Sequence, residues 1–131
     1  MNILKGNIVS IKQSDNLMLV FMDVEGNLFN SLLLENADEN RLEVGMDVHL
    51  LFKETEVTLA TTDSVVSEKN SFVSKITNIE NGKVLANITL DFLGNNINAI
   101  ITKGALHGLK CKVGDEFRWV VKASEVTLQI L

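Results

Sequence analysis

The sequence predicts an all-β protein of two tandem, small, five-stranded barrels, each with one short helical turn. Three observations carry this reading. The first is a stretch that the chain contains twice. Residues 44–59 read VGMDVHLLFKETEVTL and residues 113–128 read VGDEFRWVVKASEVTL, aligned without a gap at a spacing of 69 from Gly45 to Gly114. The second is a series of short apolar runs separated by turn clusters. The third is that the same order of elements recurs on both sides of a short polar joint at Thr62-Asp63-Ser64. An internal repeat fixes the unit of construction before any fold is chosen. The units are residues 1–62 and 63–131.

Each unit is small. A chain of that size buries only about 60% of its unfolded surface and is marginal alone. The 131 residues are 46% apolar, which is rich for such units. The copies are therefore expected to pack on each other and on further chains. The single cysteine, Cys111, excludes an internal disulfide and suits a reducing cytosol. No apolar run is long enough to span a bilayer, and the N-terminus lacks a basic-then-apolar signal pattern. A net charge of −5 argues against a general nucleic-acid or anionic-membrane surface.

The elements follow in order. Residues 3–11 suit a first strand with Val9 and Ile11 on one face, ended by the turn cluster Gln13-Ser14-Asp15-Asn16. Leu17 to Val24 is apolar on both faces, as in a strand covered on both sides. Glu25-Gly26-Asn27 turns the chain into a strand from Leu28 to Leu34. Asn36 with Glu39 gives a capping-box signal for one or two helical turns. The strand over 46–53 then puts Val48, Leu50 and Phe52 on one face.

The second unit repeats this. Phe72 to Ile79 is a strand and Glu80-Asn81-Gly82-Lys83 a turn. Over 83–91, Val84, Ala86, Ile88 and Leu90 face inward. Gly94-Asn95-Asn96 turns the chain, and Ile97, Ala99 and Ile101 form the next inward face. Thr102 caps a short helix holding Ala105 and Leu106. Phe117, Trp119 and Val121 take the places of Val48, Leu50 and Phe52. Five short strands with one helical turn before the last pair suit a barrel of the oligonucleotide/oligosaccharide-binding (OB) type. One difference stands out: Leu19 and Phe21 correspond to Asn87 and Thr89 at a spacing of 68. Either the first core is locally thicker, or this face meets a sister unit or another subunit.

Residues 82–128 resemble the Mop repeat of the molbindins, also known as the transport-associated OB (TOBE) domain. The shared features are Gly82-Lys83-Val84, Gly94-Asn95-Asn96-Ile97, Ile101-Thr102, Val113-Gly114-Asp115 and Lys122-Ala123-Ser124-Glu125-Val126. Ser67-Glu68-Lys69-Asn70 is similar to the family's opening Ser-Ala-Arg-Asn. The resemblance covers essentially the whole chain, twice. It implies a cytoplasmic, non-enzymatic protein that binds molybdate or tungstate at subunit interfaces. It also implies a homotrimer, which fits the marginal units and the apolar Leu19/Phe21 face. Lys69 replaces the family's arginine, and these two cations differ at a bidentate oxyanion site. Glu68 replaces its alanine and brings a negative charge close to the site unless it points away. In the first copy only Asn2 remains of the opening motif, and Glu54 stands where the second copy has Ala123.

The chemistry supports the same residues. A tetrahedral oxyanion offers only acceptors, so it needs converging main-chain N–H groups, hydroxyls and cations. Lys122 supplies charge, Ala123 allows close backbone approach, and Ser124 supplies a hydroxyl. With the opening motif, the candidate oxyanion set is Ser67, Lys69, Asn70, Lys122, Ala123 and Ser124; Asn2, Lys53 and Thr55 form a weaker set in the first copy. The plainer alternative is that Lys53 and Lys122 are solvated strand-end lysines and Ser124 starts a tight turn. His49 and His107 have no carboxylate or cysteine at ligand spacing, so no metal-ion site is expected. No nucleophile–base pair or phosphate loop is visible. Besides storage or buffering of the oxyanion, a sensory module partnering a transporter or repressor remains open. Single-stranded nucleic-acid binding is disfavoured by the acidic balance and by few aromatics.

Overall fold

The computed structural model describes residues 1–34 and 41–131. Ten strands build two five-stranded antiparallel sheets. The strands are β1 (Asn2–Ser14), β2 (Leu17–Val24), β3 (Asn27–Leu34), β4 (Asp47–Phe52), β5 (Val57–Ala60), β6 (Ser71–Asn81), β7 (Leu85–Phe92), β8 (Asn95–Thr102), β9 (Glu116–Val121) and β10 (Thr127–Ile130). A helix, α1 (Lys103–Leu109), follows β8. Short 3₁₀ turns at Glu54–Glu56 and Ala123–Glu125 precede β5 and β10. The strand expectations hold closely. The capping signal at Asn36 and Glu39 lies outside the described residues.

Turn chemistry sets the hairpins. Glu25-Gly26 and Leu93-Gly94 each place two successive residues at positive φ, as a two-residue hairpin turn with matching twist demands. Gly45 and Gly114, in the repeated Val-Gly pair, sit at φ +97 and +96, where a side chain would be strained. At the C-terminal side of the second unit, the Thr102 hydroxyl accepts the Ala105 N–H at 3.1 Å and caps α1 as expected.

Two inward faces differ from the sequence expectation. The ladder between β1 and β2 shifts register between Ile8 and Ser10. Leu4 and Ile8 face the core and Val9, next in the alternation, points outward and is 44% exposed; the bulge after Ile8 then changes the phase so that Ile11 packs against the core. Val84 precedes β7 and is 72% exposed, while Ala86, Ile88 and Leu90 are buried as expected.

The sheet topology departs from two self-contained barrels. The first sheet runs β10-β4-β1-β2-β3 and the second β5-β9-β6-β7-β8. Each takes four strands from one repeat and its fifth from the other. Leu128 pairs with Leu50 in the first sheet, and Leu59 pairs with Trp119 in the second. The repeats thus exchange their closing strands. Among the described residues, neither sheet is closed by a ladder between its two end strands. At the gap of the first sheet, the Ser31 hydroxyl donates to the Val126 carbonyl at 2.5 Å. The architecture is an OB-like pair of sheets.

One core serves both sheets. Phe29, Phe52, Phe72, Phe92 and Trp119 meet with ring centroids 4.5–6.1 Å apart. Trp119 is fully buried and its indole N–H donates to the Ser74 hydroxyl at 3.0 Å. It is a core residue, with its polar edge satisfied.

The exchange generates a test. A fragment of residues 1–62 keeps β4 without β10 and carries a β5 that has lost β9. It is expected to lack a stable fold by circular dichroism, whereas mixing it with 63–131 should restore the native spectrum. An independently folded 1–62 fragment would contradict this.

Candidate functional site

The two halves of the predicted site lie next to each other within a single chain. Strand β6 pairs with β9, with Ser71 opposite Val120. The Val121 N–H donates to the Asn70 carbonyl at 3.0 Å, so the opening motif runs directly beside the Lys122–Ser124 turn. The first copy has the same arrangement, with Asn2 opposite Phe52 on β4. The resemblance implies a site at a subunit boundary. Register brings them together in one chain.

The closing turns are built alike. The Glu125 N–H returns to the Lys122 carbonyl at 2.9 Å, and the Glu56 N–H to the Lys53 carbonyl at 3.0 Å. This bends the chain at Ala123-Ser124 and Glu54-Thr55. Lys69 and Lys122 are exposed, as are Ser67 and Ser124, while Ala123 is half-buried. Lys69 also lines a recess of about 330 Å³ with Phe21, Leu28, Phe29 and Asn30. Hence the second repeat's opening lysine faces the first repeat's sheet.

Asn70 and Asn2 are placed differently from the other candidates. Asn70 is fully buried. Its side-chain oxygen accepts the Asn30 N–H at 2.8 Å, and its amide donates to the Asn30 carbonyl at 2.9 Å. Asn2 repeats both bonds with the backbone of Asn98, at 2.8 and 2.9 Å. These clamps bind the start of each repeat to the third strand of the other. Asn30 and Asn98 escaped the sequence reading. Their signal was present: asparagine stands at the same place in both copies, spaced by 68, in the middle of the third strand of each.

Two carboxylates lie at the closing turns. Glu68 Oε2 accepts the Ala123 N–H at 3.3 Å, so this side chain points toward the turn. In the first copy, Glu54 Oε2 is 2.6 Å from the Met1 amino nitrogen, and that contact holds the Glu54 carboxyl below its ordinary range. Among the described residues, no group of three or more His, Cys, Asp or Glu side chains could hold a metal ion. His49 Nδ1 reaches only Gln129 Oε1, at 3.4 Å. No helix of the described residues is long and apolar enough to cross a membrane.

The outer faces of the sheets differ as the Leu19/Phe21 contrast implied. On the first, Leu17, Leu19 and Phe21 stand opposite Leu34, Leu32 and Asn30. On the second, Leu85, Asn87 and Thr89 stand opposite Thr102, Ile100 and Asn98. There the Asn98 side-chain oxygen accepts from Thr89 at 2.8 Å and from Asn87 at 3.2 Å.

The TOBE domain matches residues 67–128. The cytoplasmic molybdate-binding protein ModG, crystallised from polyethylene glycol with molybdate bound, superposes with a TM-score of 0.92 at 28% identity. The alignment covers 99% of this chain and 96% of that one, so both repeats and the exchanged strands are included. Residues 67–128 thus carry a TOBE domain, and the whole chain is similar to ModG. A search of curated proteins finds no match to the sequence.

Two outcomes test the site's construction. Asn70→Ala strands a buried N–H and a buried carbonyl of Asn30, and should cost about 2–4 kcal/mol in urea unfolding. Asn30→Ala should cost less, because the clamp uses only the Asn30 backbone. Burial, with the Asp115 charge adding to it, raises the Cys111 thiol above its ordinary value. A raised value means less thiolate at pH 8, so Cys111 should alkylate more slowly than free cysteine, and Asp115→Asn should speed it.

Proposed function

We propose that this chain is a cytoplasmic molybdate- or tungstate-binding protein that stores or buffers the oxyanion without chemical conversion. The observation that carries the reading is the full-length likeness to molybdate-bound ModG, reached by a chain whose two turns are equipped for an oxyanion. Two repeats, 1–62 and 63–131, are the units of duplication, and each OB-like sheet borrows its fifth strand from the other repeat.

At the second repeat, Lys69 and Lys122 supply charge, Ser67 and Ser124 hydroxyls, and Ala123 a backbone N–H. Asn70 belongs to the set as its brace, its amide committed to Asn30. At the first repeat, Lys53 and Thr55 are the counterparts, with Asn2 bracing Asn98. A negatively charged protein can hold such a ligand because local donors, not net charge, decide binding. The exposed apolar strip of Leu17, Leu28, Leu32 and Leu34 suits burial against a second copy, in a homotrimer with closed symmetry.

Each hydrogen bond to a charged ligand contributes roughly 1.5–3 kcal/mol. Lys122→Ala or Ser124→Ala should therefore weaken molybdate binding by about tenfold or more in calorimetry. Lys53→Ala and Thr55→Ala should matter less. Absence of binding to both molybdate and tungstate at millimolar ligand would refute the function. Sedimentation should give a trimer at micromolar chain; a monomer would refute the assembly.

A further inference from the structure

We infer that Glu68 acts as an internal competitor for the oxyanion at the second repeat, and so sets the affinity of that site. The inference rests on the oxyanion-binding reading above and adds to it a residue that opposes the ligand.

The geometry is specific. Ala123 is the residue at the bend of the closing turn. Two later amides of that turn are engaged, the Glu125 N–H with the Lys122 carbonyl and the Val126 N–H with the Ala123 carbonyl. The Ala123 N–H is instead taken by Glu68 Oε2, at 3.3 Å. A carboxylate and a tetrahedral oxyanion present the same chemistry to an N–H: a charged oxygen acceptor. Both cannot use one donor, and two negative charges at that distance repel.

The charges around Glu68 show that the bond is not one part of a neutralised pair. Among the described residues, neither Lys69 beside it nor Lys122 on the turn forms an ion pair with it. Glu125, at the far end of the same turn, adds a further negative charge. The two lysines therefore stay exposed and uncommitted, while the chain's own carboxylate holds the backbone donor between them. An arriving dianion must displace Glu68 before it can use the full donor set.

The substitutions separate charge from occupancy. Glu68→Gln removes the charge but leaves an amide oxygen able to accept from Ala123. Glu68→Ala removes both. The experiment is calorimetric titration of molybdate into the full chain carrying Lys53→Ala and Thr55→Ala, with Glu68 intact or replaced. Losing one contact to a charged group converts to roughly tenfold or more in affinity. Glu68→Ala should bind at least about tenfold tighter than the Glu68 protein, with Glu68→Gln in between. The gain should vanish when Lys122→Ala is added. Binding by the variants where the Glu68 protein shows none would support the inference in its strongest form. Equal or weaker binding by both variants, with binding still measurable, would overturn the inference and leave the oxyanion function intact. No binding by any of these proteins at millimolar molybdate would overturn both.

Discussion

Two exchanged strands and two asparagine clamps hold the repeats as one body. Strand β10 completes the sheet of the first repeat, and β5 completes the sheet of the second. Asn70 and Asn2 then tie the start of each repeat to the backbone of β3 and β8 in the other. Every one of these contacts crosses between repeats. Units too small to bury a sufficient core alone gain it by sharing strands, and the aromatic cluster around Trp119 draws on both. The clamps matter because a buried backbone N–H or carbonyl without a partner is costly. They let β3 and β8 end a sheet with the backbone N–H and carbonyl of Asn30 and Asn98 satisfied.

The same crossing builds the candidate site. Because β6 lies against β9, Ser67–Asn70 runs beside Lys122–Ser124. Because Asn70 is clamped to β3, Lys69 faces the first repeat's outer sheet and lines its recess. The approximate twofold symmetry is then broken chemically. Phe21 lies in the first sheet where Thr89 lies in the second, and the Lys12 ammonium sits 5.4 Å from the Phe21 ring. One sheet offers an apolar outer face and the other a hydrogen-bonded polar one. Equivalent closing turns therefore sit in unequal surroundings, with Ala123 beside Glu68 in one and Glu54 beside Met1 in the other.

The sequence by itself determined the duplication, the strand order and most inward faces. Val48, Leu50 and Phe52, and their counterparts Phe117, Trp119 and Val121, were legible because alternation fixes which residues share a face. The helix cap at Thr102 and the turns at Gly26 and Gly94 were legible because their backbone conformations restrict residue type. The candidate site was legible as residue chemistry, through Lys122-Ala123-Ser124 and the opening motif. Only the tertiary structure decided which β-strand closes which sheet. Glu-Val-Thr-Leu is identical in both copies, so local sequence cannot tell β5 from β10 or choose between β4 and β9 as a partner. Tertiary structure likewise gave Asn70 its buried role, put Val9 and Ile11 on different faces through a bulge, and brought Glu68 to the Ala123 amide. Each of these depends on register between segments far apart in the chain, and periodicity within a segment carries no information about register.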